Sequence, residues 1–354
     1  MRAIRTIKKS LSFPEMSEIT KDSASNTTSA WGDSETQLFL DLKPEKILET
    51  VELLGKRSTG RVNALNSMEN RVFEVELDDS KVIAKFYRPG RWSREQILEE
   101  HQYLLDLKEQ DIPVVAPIVF PSGSTLEKVK DAEIFCAIFP KQMGRNPQEL
   151  NAEDLKRLGR LLARIHNTGS QRKAEHRIAL NPDVYGIRNL EYLLETDSIS
   201  YSVIDRYEEI VREICELSEP LFAEVASQRI HGDCHFGNIL WGDEGPFLVD
   251  FDDMVNGPCV QDLWLICPGR DEDSLENLDT LIAGYEELRE FDHLSLDLIE
   301  PLRALRFVHF SAWIQKRWTD QTFQTNFPHF GSEKYWREEL NDLNEQLELI
   351  RSIV

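Results

Sequence analysis

The chain has 354 residues, 41% of them apolar, and a formal net charge of −22. At ~100–200 residues per domain this length suits two domains or one two-lobed domain, with enough apolar side chains to fill a core. The negative charge excludes nucleic-acid binding through phosphate neutralisation and argues against an anionic membrane as partner. No apolar run approaches the ~18–20 residues of a membrane span.

Residues 1 to about 42 are Ser/Thr/Asn-rich and aperiodic, as expected of a disordered tail. The opening "MRAIRTIKKSLSF" is basic but has no apolar h-region, so it reads as tail, or as an over-long start ahead of Met16, rather than as a secretory signal. "PEKILETVELLGK" (44–56) has the pattern of a short amphipathic helix. "ALNSMENRVFEVEL" then gives a turn and an alternating strand, and "SKVIAKFYR" a second strand after the Asp78-Asp79-Ser80 turn. The two read as a hairpin, with Lys85 on the same face as Ile83.

In "WSREQILEEHQYLLDLKEQ" the Ser93/Gln96 pair is a capping-box signal. At 100° per residue Glu100 falls inside the apolar arc of that helix, with Ile97, Leu98, His101 and Leu104, while Glu99 points to the opposite side, towards water. "IPVVAPIVF" and "EIFCAIFPK" read as further strands. From about 141 the character becomes helical. "NAEDLKRLGRLLARIHNTG" is a helix capped by Asn151 with Gly169 just past its end, and helical periods return at 190–226, 273–290 and 297–318. Between them "GNILWGDEGPFLVDFDD" reads as two strands joined by a Gly-Asp-Glu-Gly turn. The expected organisation is α+β and two-lobed: a tail over 1–42, a small antiparallel-sheet N-lobe with one inserted helix over 43–140, and a mostly helical C-lobe over 141–354. The five cysteines form no CxxC pair and are odd in number, which fits a reducing cytoplasm better than a disulfide framework.

The polar cluster is "HGDCHFGNILW" (231–241) with "VDFDD" (249–253). Phosphoryl transfer from ATP asks a protein for positioning and charge neutralisation more than for covalent work. It needs a carboxylate to orient the acceptor hydroxyl and take its proton, oxygen ligands for Mg²⁺, and a cation on the phosphates held by a counter-charge. Asp233 suits the first task, Asn238 and Asp250 the second, and Lys85 with Glu100 the third. The hairpin returns Asp250 beside Asn238, so that a carboxylate and an amide oxygen can share a hard cation. Glu100, from the buried arc of its helix, can reach Lys85 and keep a buried lysine charged.

These segments resemble the aminoglycoside phosphotransferase/choline kinase branch of the protein-kinase-like fold. With "NSMENRVFEV", "KFYRPGRWSREQILEEHQYLLDL", "NGPCVQDLW" and "IEPLRALRFVHF", the chain from about 40 to 350 resembles the bacterial stress response kinase A family. The resemblance implies a cytoplasmic, ATP- and Mg²⁺-dependent serine/threonine protein kinase, autophosphorylating and monomeric, acting on protein Ser/Thr acceptors. It implies Asp233 as the proton acceptor, Asn238 and Asp250 as the Mg²⁺ ligands and Ser67 as an ATP contact.

Two features depart from ordinary protein kinases. "ALNSMENRV" has no glycine, so an Asn/Ser turn with the Ser67 hydroxyl replaces a Gly-rich loop. Eight residues separate Asp253 from Asp262, leaving no room for a long activation segment.

Other readings stay open. His231, Cys234 and His235 could ligate Zn²⁺, though no second ligand cluster lies nearby. Cys234 could be a nucleophile, or a small side chain beside Asp233. His231 is expected to anchor the loop, tied to Asp262. Asp252 and Asp253 either add to the metal site or cap the following turn. Arg303, Arg306 and His309 share a helix face that either lines the acceptor cleft or is paired structurally. "GKRSTG" (55–60) lacks P-loop spacing. The same fold could instead serve a small-molecule hydroxyl kinase of the aminoglycoside, choline or homoserine type, or a nucleotide-binding scaffold without turnover.

Overall fold

The computed structural model describes Phe39 and residues 42–354. The tail expected over 1–42 lies outside the described residues, apart from Phe39 and Leu42. Phe39 is buried, with the guanidinium groups of Arg71 and Arg88 over its ring at 5.0 and 5.5 Å.

A helix at Pro44–Glu52 (α1) leads into a five-stranded antiparallel sheet of β1 (Ser58–Leu65), β2 (Arg71–Leu77), β3 (Lys81–Phe86), β4 (Glu127–Lys128) and β5 (Phe135–Pro140), in the order β1-β2-β3-β5-β4. The β2–β3 hairpin forms as expected, with Val75 opposite Val82 and Val72 opposite Lys85. Its two faces differ in company. Val75, Leu77, Val82, Ala84 and Phe86 join α1 in one cluster, while Ile83 and Lys85 turn to the other side, where the helix α2 (Arg94–Glu109) packs. Helix α2 starts at the Ser93/Gln96 capping box, both halves of which are formed. Strand β1 is exposed along most of its length and carries no apolar alternation, so its residues give no strand signal. The segment 112–120 differs from expectation too. Pro113 and Pro117 deny it a ladder of N–H donors, and it runs as coil with isolated bonds, Ile118 N–H to the Ile138 carbonyl among them.

The rest is helical: α3 (Ala152–Gly169), α4 (Arg188–Glu195), α5 (Ile204–Glu224), α6 (Val260–Trp264), α7 (Glu272–Glu286), α8 (Ile299–Gln315), α9 (Gln321–Asn326) and α10 (Glu333–Arg351). Residues 182–187 form one π-helical turn ahead of α4. The single period at 190–226 is therefore two helices, broken before Ile204. Helices α3 and α7 cross at glycines: a Cβ on Gly159 would sit 2.1 Å from the Leu281 carbonyl oxygen, and one on Gly284 2.4 Å from that of Lys156. Two short strand pairs complete the half: β6 (Ser227–Ile230) with β9 (Val255–Pro258), and the hairpin β7 (Ile239–Gly242) with β8 (Gly245–Leu248). Strand β9 runs straight into α6, so the link after Asp253 is as short as the spacing implied. One apolar cluster joins α2, α3, the short strands and α7; a second joins α4, α5, α8 and α10. Among the described residues no helix is long and apolar enough to cross a membrane.

Candidate active site

The loop after β6 is held by its main chain. Gly232 has φ +87°, and a Cβ there would lie 2.2 Å from the Asp253 carbonyl oxygen, so only glycine fits. The Asp262 carboxylate accepts the backbone N–H groups of His231 and Gly232, each at 2.8 Å. His231 donates from Nε2 to the Val249 carbonyl at 2.9 Å, while its Nδ1 accepts the Asp233 N–H at 3.3 Å. The expected tie between His231 and Asp262 thus runs through the backbone, and the imidazole on Asp262 is that of His166, at 3.0 Å. Asn238 donates from its side chain to the Asp233 carbonyl at 2.9 Å, which fixes both ends of the loop.

The Asp233 carboxylate meets Arg306 of α8 at 2.9 Å and His235 at 3.4 Å. Burial works to raise this carboxyl, but Arg306 and His235 outweigh it and hold it well below the usual range. Arg303, expected on the same helix face, is buried instead, donating to the Pro268 carbonyl and paired with Glu300. Cys234 is buried, and burial pushes its thiol well up, which removes it as a nucleophile at neutral pH. Among the described residues no group of three or more His, Cys, Asp or Glu side chains is placed to hold a metal, so the Zn²⁺ reading of His231, Cys234 and His235 has no support.

The hairpin turns Asp250 back to the loop: the Val249 N–H donates to the Asn238 carbonyl at 3.0 Å. Asp250 has φ +59°, in the left-handed region, and its side chain is 56% exposed. This kink starts a turn at Phe251–Asp253 that sends Phe251 into the core and Asp252 towards the sheet. Lys85 Nζ lies 3.0 Å from both Asp250 and Asp252 and 3.7 Å from Glu100. Burial alone would lower this lysine; the three carboxylates outweigh it and keep it cationic. Glu100 is buried, which pushes it up to about 6, and its shorter ion pair is with Arg177, at 3.0 Å. Asp252 is buried between Lys85 and Arg91 and accepts from Asn70 at 3.2 Å. Glu99 does not simply face water: its carboxylate caps the N–H groups of Glu175, His176 and Arg177.

Lys85, Glu100 and Asp250 thus come together, and Asp233 and Asn238 are joined through the loop. Ser67 is half-buried between β1 and β2 and makes no hydrogen bond among the described residues. The fastening from its turn comes from neighbours that sequence reasoning passed over. Glu69 takes a bidentate pair from Arg317 (2.8 and 3.0 Å), the Trp313 Nε1–H (2.7 Å) and Arg88 (3.2 Å), and Arg88 also pairs with Asp320 at 2.9 Å. These partners lie up to 248 positions apart, and no local pattern marks them. The basic "RPGRWSR" run was the one available sign of Arg88 and Arg91.

A metal would find hard oxygens here. Asn238 spends its amide N–H on the loop, leaving Oδ1 unbonded among the described residues, and Asp250 presents a largely exposed carboxylate one position from the Val249–Asn238 bond. Two such groups suit a cation whose other ligands are water and phosphate.

This fold and site define a phosphotransferase. The chain belongs to the phosphotransferase enzyme family, whose model matches residues 61–299. Within it the chain is a member of the stress response kinase A family. The stress response kinase A of Escherichia coli strain K12 is 38% identical over 324 residues, 88% of this chain and 95% of that protein. The serine/threonine protein kinase RdoA of Salmonella typhimurium strain LT2 is also 38% identical, over 88% of this chain and 94% of that one. Among solved structures, an amicoumacin kinase in complex with AMP-PNP, Ca²⁺ and Ami superposes with a TM-score of 0.65 at 19% identity, covering 82% of this chain and 93% of the other. A spectinomycin phosphotransferase in complex with ADP and spectinomycin gives 0.61 at 17%, covering 87% and 98%. These establish the kinase-like fold expected from the sequence.

Proposed function

We propose that this chain transfers the γ-phosphoryl group of ATP, as its Mg²⁺ complex, to serine or threonine hydroxyls of proteins, its own included, as a cytoplasmic monomer with a role in stress response. The observation that carries the reading is the placement of Lys85 against Asp250 and Glu100 while the same hairpin fastens the loop that bears Asp233 and Asn238. Lys85 faces the phosphates, kept charged by Asp252 and Glu100 as well as Asp250. Asn238 Oδ1 and the Asp250 carboxylate hold Mg²⁺, which when bound neutralises phosphate charge. Asp233 orients the acceptor hydroxyl and accepts its proton. Ser67 and the N–H groups of its turn meet the nucleotide. The 38% identity to a protein named as a serine/threonine kinase supports the choice of acceptor.

The rival reading is a small-molecule hydroxyl kinase. It is favoured by the structural neighbours, which include an aminopropanol kinase with a TM-score of 0.55 at 18% identity. Incubating the pure protein with labelled ATP, a protein extract and a metabolite pool separates the two. Label in Ser/Thr residues is expected; label confined to small molecules would remove the protein-kinase reading.

A further inference from the structure

Helix α8 borders the proposed base, and the charge along its cleft-facing side is opposite in sign to that of the whole chain. At 100° per residue, Arg306, His309 and Trp313 of α8, with Lys316 and Arg317 in the turn that continues it, fall within one ~100° arc. Contacts carry this face outward from Asp233. Arg306 pairs with Asp233 at 2.9 Å and with no other carboxylate among the described residues. His309 stacks on Tyr185 of the π-helical turn, with ring centroids 4.3 Å apart. His309 Nδ1 lies 3.1 Å from the Asn189 amide, whose oxygen takes Lys316 Nζ at 3.2 Å. Lys316 is exposed, lies 5.1 Å from the centre of the Tyr192 ring and has no carboxylate within ion-pair distance among the described residues. Burial, reinforced by Lys316, Arg306, Arg317 and Arg91, pushes the His309 imidazole down to about 3, so it adds no charge of its own to this face at neutral pH.

The chain also shows what this face binds. At its far end Arg317 and the Trp313 N–H, with Arg88, clasp the carboxylate of Glu69. An acidic side chain is thus already seated at the C-terminal end of α8, on Trp313 and on Arg317, the residue next to the open Lys316.

We propose that the Arg306–Lys316 face of α8 is the acceptor platform and that it selects hydroxyl acceptors flanked by negative charge, a carboxylate or a phosphate, over cationic ones. This rests on the kinase reading above and narrows its acceptor class. Amino alcohols and polycationic antibiotics meet like charge here, whereas a serine in an acidic stretch meets Lys316. The ten-residue step from Arg306 to Lys316, which caps the end of α8, spans about 15 Å, the reach of roughly four to five residues of extended chain. The favoured acidic position therefore lies about that far from the acceptor serine, on one side of it.

The test uses the full chain with ATP, Mg²⁺ and peptides carrying one serine in a neutral frame, each with a single Asp or Lys at successive positions on either side. Asp about four to five residues away is expected to raise kcat/KM roughly three- to five-fold, mainly through KM, as one solvent-exposed ion pair would, and Lys there to lower it. Lys316→Glu should reverse that ranking, and Lys316→Arg should keep it. A wild-type preference for Lys peptides, or a ranking that Lys316→Glu leaves unmoved, overturns the proposal. Small acceptors matched in size, hydroxy acids against amino alcohols, separate its failure from that of the protein-kinase reading. Turnover of hydroxy acids without peptides sinks the protein acceptor but upholds the charge selection. A preference for amino alcohols without turnover of peptides, or no turnover of any acceptor, sinks both.

Discussion

Asp233 carries a constraint that sets how it can work. Arg306 keeps its carboxylate ionised far below neutral pH, and a carboxylate so stabilised is a weak base. In the reaction proposed above, its main contribution would be to aim the acceptor oxygen, taking the proton late, when the departing phosphoryl group has already drawn charge from that oxygen. Asp233→Asn keeps the size and the hydrogen bonds of the loop main chain but loses this acceptor. Turnover is expected to drop by ~10²–10⁴ while nucleotide binding persists, as label transfer and calorimetry would report side by side. Asp250→Ala should behave in the opposite way. It removes a proposed metal ligand, so Mg²⁺-dependent ATP affinity itself should weaken, about tenfold or more. An unchanged calorimetric titration would take the metal role from Asp250. Lys85 and Glu100 were legible at this scale because alternation and a 100° wheel place each on the inward face. Arg177 and Arg91 were not, and Arg306 was read only as part of a helix face, without its partner: each meets its carboxylate across 73 to 162 positions, a distance over which periodicity carries no information.

Elements were readable where local chemistry dictates them. The β7–β8 hairpin follows from its Gly-Asp-Glu-Gly turn, and α2 from a capping box with an apolar arc. Strand β1 was missed because an exposed edge strand buries too little to alternate, and the expected strand at 112–120 failed on its two prolines. The helical half holds a further element-scale feature, a carboxylate inside the packing of α5, α8 and α10. Glu339 accepts the Tyr207 hydroxyl at 2.6 Å and the Ser311 hydroxyl, and burial pushes its carboxyl up to about 7. That value lies above the 4.5 of a free glutamate, so between about pH 4.5 and 7 the folded protein keeps a proton that the unfolded chain has released. Stability therefore declines as pH rises through this window and levels off above it, by up to about 3 kcal/mol from this group. Asp342, on the same helix and raised to about 6, acts in the same sense. Denaturant titrations at pH 5 and pH 8 should show the loss, and Glu339→Gln should flatten it. A slope unaltered in that variant would assign the dependence to other groups.

At the scale of the whole molecule, the sheet and the helices meet through buried ion pairs as well as through apolar packing. Lys85 and Arg91 reach the turn after Asp250, Arg177 reaches Glu100, and Glu69 with Arg88 ties the β1–β2 turn to α8, α9 and the link between them. Removing one partner of such a set leaves charge without compensation. Glu69→Ala should cost about 3 kcal/mol of stability and, by releasing the turn that carries Ser67, raise the KM for ATP. Calorimetry and initial rates against ATP concentration test the two halves of that expectation, and a destabilised variant with an unaltered KM would separate the turn from the nucleotide. The two-lobed α+β arrangement was legible from the change of character near residue 141. The latch between its parts was not, because it is written in single charged residues with no repeat.

The short passage from Asp253 to Asp262 has a consequence for control. Asp262 grips the loop of Asp233 from the first turn of α6, and between the two aspartates there are only eight residues, half of them a strand. Nothing there is long enough to swing out and be drawn back by a covalent tag. A covalent tag would find no strap to pull at this point, because the grip of Asp262 on the loop is fixed by the fold of the segment itself.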